Sequence, residues 1–219
     1  METVWIIGAG KFGIRAARWL LKQDGRYNVT LVDQDDDSLV RAKALGCRVE
    51  TCDAVEFLRD RLTRANGPDW IVPAVPVHLA WEWCRLRAGE GRMKPHTLPE
   101  EIEAQLPNCM HGAGYDLYVS HADFLCPPNC NEPDDKCTKT GEPRKKDMFR
   151  LLSEVDFPGT VPFVIQSVQL GPGVGGYKPD ALFDLLDRIA SHRGPCFVAT
   201  ACRCHGVVSG TLLDCAQRK

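Results

Sequence analysis

The chain has 219 residues, with 27 lysines and arginines against 29 aspartates and glutamates, so its formal net charge is −2. This balance gives no cationic excess for a polyanion, and we predict no nucleic-acid partner. Hydrophobic residues make up 44% of the chain and charged residues 26%. That is the composition of a globular protein, and it excludes collagen, coiled coil or disorder as a description of the whole chain.

We predict no membrane span and no export signal from the sequence. No apolar run approaches the ~20 residues needed to cross a bilayer, and Glu2 precedes the apolar start at Val4 where a signal peptide would have a basic leader. The 11 cysteines are odd in number, which disfavours a disulfide scaffold. We therefore expect a cytoplasmic protein without direct membrane insertion, whose thiols serve metal chemistry.

The first segment has the pattern of a strand, a glycine turn and a helix. Apolar residues 4–7 enter the glycine-rich residues 8–13, and an amphipathic stretch follows over residues 14–21. In this pattern the first glycine makes the tight turn, the second lets the backbone approach a pyrophosphate, and the third lets the helix pack closely on the strand. Free amides at the helix start then face the anion. The predicted nucleotide-binding residues of the turn are Gly8, Gly10, Lys11, Phe12 and Gly13.

The next predicted strand, residues 28–33, ends in Asp33. This carboxylate follows Gly13 by 20 residues, which is the position of an acid that binds a ribose hydroxyl. Asp33 would repel a 2′-phosphate, and residues 35–37 add three more acids, so NAD(H) is the predicted cofactor. The alternative is a plain glycine turn with a helix-capping aspartate.

Strand and helix alternate again up to a predicted fourth strand at residues 69–75. Residues 1–80 resemble the TrkA-type NAD-binding domain, which is also known as the regulator of potassium conductance. The likeness rests on residues 7–13 (IGAGKFG), on the acids Asp33 and Asp35, and on residues 52–54 (CDA), where the family commonly has Gly-Asp-Ala. It implies nucleotide binding by the turn glycines and Asp33, with Asp53 beside the adenosine half. It carries over no catalytic residue, because the usual role of that family is sensing.

A rigid loop with two prolines leads from the fourth predicted strand to His78. Ligands of an open parallel sheet lie outside the carboxyl ends of the strands. His78 is therefore predicted near the nicotinamide as a catalytic acid or base, with Glu82 one helical turn behind it. The alternative is a histidine at a helix start that bonds to the backbone.

Glycine, proline and charge dominate residues 87–115, which predicts a boundary between a Rossmann dinucleotide-binding domain at 1–88 and a cysteine-rich α/β domain at 89–219. The expected fold class is α/β, with a Rossmann-like, mostly parallel sheet of about seven strands, four of them in the first half. Whether the two halves share one sheet is left open.

Cys126, Cys130 and Cys137 lie within 12 residues on a segment with three prolines, spaced C-x3-C-x6-C. The prolines lower the entropy cost of pointing the thiolates inward, which predicts a metal site. The spacing matches neither common zinc ribbons nor bacterial ferredoxins, so zinc and an iron–sulfur cluster both stay open. The alternatives are unliganded loop cysteines or a redox-switch disulfide between Cys126 and Cys130.

A second cluster follows a predicted buried strand at residues 197–201. If this strand is a parallel neighbour of a predicted strand at residues 116–125, both clusters emerge at one sheet edge. Cys204 is then the first choice for the fourth metal ligand. The other candidates are Cys109, Cys202, His121 and His205.

A further strand, glycine loop and helix span residues 163–189, with four glycines between 171 and 176. The loop either offers amides to an anionic substrate or is a long turn, and it lacks the Walker pattern.

Two functions stay open: an NAD-dependent oxidoreductase with a metal or cluster near the nicotinamide, and a regulatory module that senses a nucleotide or redox state with a structural metal. A tetrapyrrole dehydrogenase or chelatase step is a weaker third. The expected partners are a small-molecule or nucleotide ligand and possibly a second copy of the chain.

Overall fold

The computed structural model describes residues 1–112 and 114–214, which form α/β layers built on two principal sheets. The strands are β1 (Glu2–Ile7), β2 (Tyr27–Asp33), β3 (Arg48–Thr51), β4 (Trp70–Pro73), β5 (Met93–Pro95), β6 (Met110–His111), β7 (Asp116–Ser120), β8 (Val161–Gln166), β9 (Val168–Gly171), β10 (Val174–Gly176), β11 (Gly194–Ala201) and β12 (His205–Leu213). The helices are α1 (Lys11–Leu21), α2 (Asp36–Ala44), α3 (Ala54–Arg61), α4 (Leu79–Ala88), α5 (Glu100–Glu103), α6 (Met148–Ser153) and α7 (Pro179–Ser191).

The first sheet is parallel, with the order β3-β2-β1-β4. The central strand β1 contains a continuous apolar run at residues 4–7 because both faces of the sheet are covered, and Ile6, Ile7 and Leu31 are fully buried. Ile7 pairs with Val32 on one side and with Pro73 on the other, so the carboxyl ends of three strands lie side by side. The predicted Rossmann-like α/β architecture is confirmed for this half.

The second sheet is mixed, with the order β6-β7-β12-β11-β8 and β5 on β12. Among the described strands of this sheet, only β8 and β11 pair in parallel. The expected parallel neighbourhood of the strands at 116–125 and 197–201 is therefore wrong: β12 lies between them and is antiparallel to both. The first of these strands also ends earlier than expected, at Ser120. A tight turn joins β11 to β12, so these strands form a hairpin and β12 occupies the position beside β11.

A shared hydrophobic core joins the two halves. Ile7 and Val32 of the first sheet belong to the same buried cluster as Phe163 and Val198 of the second. Trp83 of α4 is fully buried there and packs edge to face on Phe183 of α7, with ring centroids 5.4 Å apart. The predicted boundary at residue 88 coincides with the end of α4, and this helix contributes to the common core. In the described ranges, no helix has both the length and the apolar character that a bilayer crossing needs.

The second glycine loop is the β9–β10 hairpin, which packs on the first half of the chain. A Cβ at Gly171 would overlap the indole of Trp19, and a Cβ at Gly176 would lie 2.9 Å from the carbonyl oxygen of Ile71. Tyr177 and Ile71 exchange main-chain hydrogen bonds of 3.0 and 2.9 Å. These glycines therefore allow close packing, and the binding of an anion by the loop stays a prediction. The predicted crossover is confirmed, because α7 connects the parallel strands β8 and β11.

Candidate functional site

The three glycines of the first turn occupy three different environments. Gly8 has φ of +111°, and a Cβ there would lie 2.5 Å from the carbonyl oxygen of Ala74. A Cβ at Gly13 would overlap the carbonyl oxygen of Gly8, whereas Gly10 faces open space. Gly10 is the N-cap of α1 and provides no side-chain cap. The first helical amides therefore remain available to an anion on the open side of Gly10.

The Asp33 carboxylate lies directly against this turn. Its Oδ2 accepts the amide hydrogen of Ala9 at 2.5 Å, and its Oδ1 accepts that of Asp35 at 2.9 Å. These two bonds orient the carboxylate at the carboxyl end of β2. A carboxylate has about four lone-pair positions, so Asp33 retains acceptor capacity for ribose hydroxyls.

Asp53 is the N-cap of α3. One oxygen accepts the amide hydrogens of Val55 and Glu56 at 2.9 and 3.0 Å, which are the bonds of a helix cap. In the same half, Phe12 projects from α1 with 63% of its surface exposed, and the Arg15 guanidinium lies 4.9 Å from its ring centroid.

A cavity of about 1120 Å³ lies between the start of α1 and the cysteine segment, residues 126–137. Typical ligand pockets have volumes of about 300–1,000 Å³, so this cavity is large enough for a small molecule together with a second ligand such as a metal ion. Phe12, Arg15 and Pro73 line it from the nucleotide half. The thiol and imidazole side chains that line it are Cys126, Cys130, Cys137, Cys202, Cys204, His121 and His205.

The structure brings the two cysteine clusters together by a different route from the one the sequence predicted. The end of β7 pairs with the start of β12, Ser120 with His205, and the His121 amide donates to the Cys204 carbonyl at 2.9 Å. In a hairpin the end of one strand is adjacent to the start of the next. The turn from β11 to β12 therefore lies at the same edge as the segment that leaves β7.

Turns of the cysteine segment donate hydrogen bonds to two of the predicted ligand sulfurs, those of Cys130 and Cys137. Cys130 Sγ accepts the Glu132 amide hydrogen at 3.4 Å and lies 2.8 Å from the Thr138 hydroxyl. The main-chain amide and then the hydroxyl of Thr140 lower the pKa of the Cys137 thiol. Hydrogen bonds to a thiolate favour the charged form that binds metals.

The β11–β12 turn presents sulfur and imidazole side by side. Cys202 Sγ accepts the amide hydrogens of Cys204 and His205, each at 3.4 Å. The His205 ring has its Nδ1 3.9 Å from Cys202 Sγ and its Nε2 3.4 Å from Cys126 Sγ. Burial lowers the pKa of His205, so the imidazole is neutral near pH 7 and has one donor and one acceptor nitrogen.

Cys204 has a different partner, the guanidinium of Arg144. This side chain is only 5% exposed, and its Nη2 donates to Cys204 Sγ at 3.1 Å. It is held by the Pro133 carbonyl at 3.0 Å and by Asp147 at 3.4 Å. Burial raises the pKa of the Cys204 thiol, and Arg144 opposes that rise. No pattern in the sequence had marked Arg144, which belongs to a short basic run at residues 144–146.

All the cysteines that the structure describes are free thiols. Within residues 1–112 and 114–214, no three His, Cys, Asp or Glu side chains converge closely enough, as placed, to hold a metal ion. The metal site therefore stays a prediction: its four expected ligands line one cavity, and closure around an ion would require them to move inward. Cys215 lies outside the described residues.

His78 occupies the core. It is 3% exposed and absent from the cavity lining, with Nδ1 2.7 Å from the Ser209 hydroxyl and Nε2 3.0 Å from the Thr200 hydroxyl. Ser209 donates its only hydroxyl proton to Asp116, so it must accept from Nδ1–H, and Thr200 donates to Nε2. Burial lowers the pKa of His78 to about 3. His78 was predicted to lie near a nicotinamide. It does not line the cavity, because β11 and β12 cover it.

Comparison with known proteins links the cysteine-bearing half to a family. The family model AF_1314_C, described as "Uncharacterized protein, C-terminal domain", matches residues 80–214. The chain belongs to the AF_1314_C family. A protein of Archaeoglobus fulgidus with the printed name "Uncharacterized protein" is 31% identical over 217 residues, which covers 93% of this chain and 96% of that protein. No solved structure matches the chain. The AF_1314_C span contains the whole second sheet and every cysteine of the cavity.

Proposed function

We propose that the chain is an NAD(H)-binding oxidoreductase with a metal ion or iron–sulfur cluster on Cys126, Cys130 and Cys137. The fourth ligand comes from the β11–β12 turn, which contains the predicted Cys204. One observation carries the proposal: a single cavity is lined both by the first turns of α1 and by these cysteines. A pyrophosphate at the start of α1 would bring the rest of the dinucleotide to the end of β4 and to this cavity.

The nucleotide half supplies the binding groups. The open side of Gly10 allows a phosphate to reach the helical amides, and Asp33 is held where it can accept from a ribose. Negative charge behind Asp33 favours NAD(H) over NADP(H): Asp35 caps α2, and Asp36 accepts from the Thr51 hydroxyl at 3.0 Å. The resemblance to TrkA-type domains implies the same ligand class.

The cavity residues suit a thiolate-bound centre in a reducing compartment, and we place the activity in the cytoplasm. Arg15, Lys139 and Arg144 line the cavity and would offset the negative charge of the thiolates. When bound, a cluster supplies one-electron transfer, and zinc supplies a Lewis acid or a structural crosslink. Phe12 lines the same cavity as the sulfurs and would offer an apolar face to a nicotinamide.

The alternative is a regulatory nucleotide- or redox-sensing module with a structural metal, as the TrkA-type resemblance implies. One observation favours it: both ring nitrogens of His78 are engaged in the core, so the predicted acid or base does not face the cavity. In that case nucleotide binding would change the oligomeric state or partner binding instead of driving turnover.

The first experiment is metal analysis with a visible absorption spectrum on the anaerobically purified full chain, followed by titration with NADH. The test variants are Asp33→Asn and Cys130→Ala. Cys109→Ala is the matched control, because this thiol faces the carbonyls of Glu103 and Leu106 and lies outside the cavity lining. NADH oxidation with broad acceptors is then measured on each protein.

The oxidoreductase proposal expects a bound metal or cluster, and NADH oxidation that falls in both test variants and persists in Cys109→Ala. NADH binding without turnover, together with a change in oligomeric state, would replace it with the sensing alternative. Failure of the full chain to bind NADH would overturn both.

A further inference from the structure

We propose that the metal centre is a zinc site with three thiolates and one imidazole: Cys126, Cys130, Cys137 and Nε2 of His205. Cys204 lies outside it. This inference rests on the proposed metal centre and specifies its ligands and its metal.

The distance between Cys126 and His205 fits two ligands of one ion. Their Sγ and Nε2 atoms lie 3.4 Å apart. In a tetrahedral site with Zn–S of about 2.3 Å and Zn–N of about 2.0–2.1 Å, a sulfur and a nitrogen ligand are about 3.5 Å apart. This pair therefore has the spacing of two zinc ligands before any movement.

The other ring nitrogen of His205 has the partner that a metal-binding histidine needs. Its Nδ1 faces Cys202 Sγ at 3.9 Å, and the same sulfur is fixed by the amide hydrogens of Cys204 and His205. Metal-bound histidines almost always donate the second ring N–H to an outer acceptor, usually a carboxylate, a backbone carbonyl or water; at His205 a sulfur, which is a weaker acceptor, takes that position. With the proton on Nδ1, the lone pair of Nε2 points to Cys126 and is free to bind the ion.

Cys204 is engaged elsewhere. Its Sγ accepts a hydrogen bond from the buried Arg144 guanidinium at 3.1 Å, and Pro133 and Asp147 hold that guanidinium in place. Cys204 lies in the bend before β12, where its sulfur faces Arg144, whereas the imidazole of His205, the first residue of β12, lies beside Cys126. Binding of the ion on the His205 side therefore leaves Cys204 with Arg144.

Of the two remaining thiolates, Cys137 sits on a small preformed turn at residues 136–143, and Cys130 Sγ lies 2.8 Å from the hydroxyl of Thr138 in that turn. The Cys137 amide donates to the Glu142 carbonyl at 2.8 Å, and the Gly141 amide donates back to the Cys137 carbonyl at 2.9 Å. A bridge between Lys136 and Pro143 closes this turn. The turn can therefore approach Cys126 as one body when an ion binds, and the binding free energy would order the segment.

The test uses the full chain, stripped of metal under reducing conditions and titrated with Zn²⁺ against a chromophoric chelator and with Co²⁺ by absorption. The test variant is His205→Ala, the matched controls are Cys204→Ser and His121→Ala, and circular dichroism checks folding. Loss of an outer acceptor typically costs about 10–100-fold in metal affinity, and we expect the loss of a ligand in His205→Ala to cost at least about 100-fold. Cys204→Ser and His121→Ala should keep one zinc per chain and the sulfur-to-cobalt absorption of the unaltered protein.

His121 is a demanding control, because its Nε2 is buried without a hydrogen-bond partner in the described part of the chain and the residue lines the same cavity. Zinc loss in Cys204→Ser with retention in His205→Ala would overturn the inference and leave a four-thiolate centre. Zinc loss in His121→Ala with retention in His205→Ala would overturn it as well. Iron with labile sulfide in the anaerobic protein would overturn the assignment of zinc while keeping the proposed function. Full zinc binding by Cys126→Ser would refute the proposed metal centre. NADH titration of the same samples would then show whether the chain binds the nucleotide without that centre.

Discussion

Acid should destabilise this protein through His78. Its pKa is lowered to about 3 by burial, whereas a histidine in an unfolded chain titrates near ~6.5. Between these values the unfolded chain holds a proton that the folded protein excludes, so the free energy of unfolding falls as the pH drops below the unfolded pKa. Each pH unit costs about 1.4 kcal/mol, and the loss from pH 6.5 to pH 5 is about 2 kcal/mol.

The measurement is urea unfolding at pH 7 and pH 5 for the unaltered protein and for His78→Gln. Glutamine keeps a polar group between Ser209 and Thr200 but takes up no proton. Carboxylates such as Asp116, which lies beyond Ser209, titrate in both proteins, so their effects cancel in the difference. The unaltered protein should lose about 2 kcal/mol more than the variant on acidification. His111→Gln, which removes an exposed histidine that faces Glu103, is the control and should lose at least as much as the unaltered protein.

Equal losses for the unaltered protein and His78→Gln would refute this reasoning. That result would mean that the imidazole takes up a proton while folded, and that the hydrogen bonds from Thr200 through His78 and Ser209 to Asp116 do not keep it neutral.

Three further predictions test the two sites. Gly13→Ala should lower the free energy of unfolding by about 3 kcal/mol or more in a thermal melt, because its Cβ would overlap a turn carbonyl. Gly10→Ala should lower it by only about 1 kcal/mol, since Gly10 is an N-cap, and yet weaken NADH binding by blocking the open side of the turn. Asp33→Asn should lower NADH affinity by about 10–100-fold in calorimetry, since a hydrogen bond to a charged group contributes about 1.5–3 kcal/mol; an unchanged affinity would place the ribose elsewhere. Arg144→Met should raise the pKa of the Cys204 thiol and slow its alkylation, followed by mass spectrometry at several pH values, and a faster reaction would contradict the pairing.

The sequence by itself determined the features that depend on short stretches of chain. The strand, the glycine turn and the helix are contiguous, and the steric reason for Gly13 follows from that local geometry, because its Cβ would overlap the Gly8 carbonyl. Asp33 reaches the turn because consecutive βα units place β2 beside β1 in parallel. The density of cysteines at 126–137 likewise located the irregular segment that lines the cavity.

Only the tertiary structure decided how the second half is arranged. Apolar runs such as β11 have the same appearance whether their neighbour is parallel or antiparallel, so the insertion of β12 between β7 and β11 had no local signal. The partners of His78 are 122 and 131 residues away in sequence, and Cys204 meets Arg144 across 60 residues. Contacts at such separations arise from the packing of whole strands and helices. The fold, and not the neighbouring residues in sequence, therefore decides which partners these side chains have.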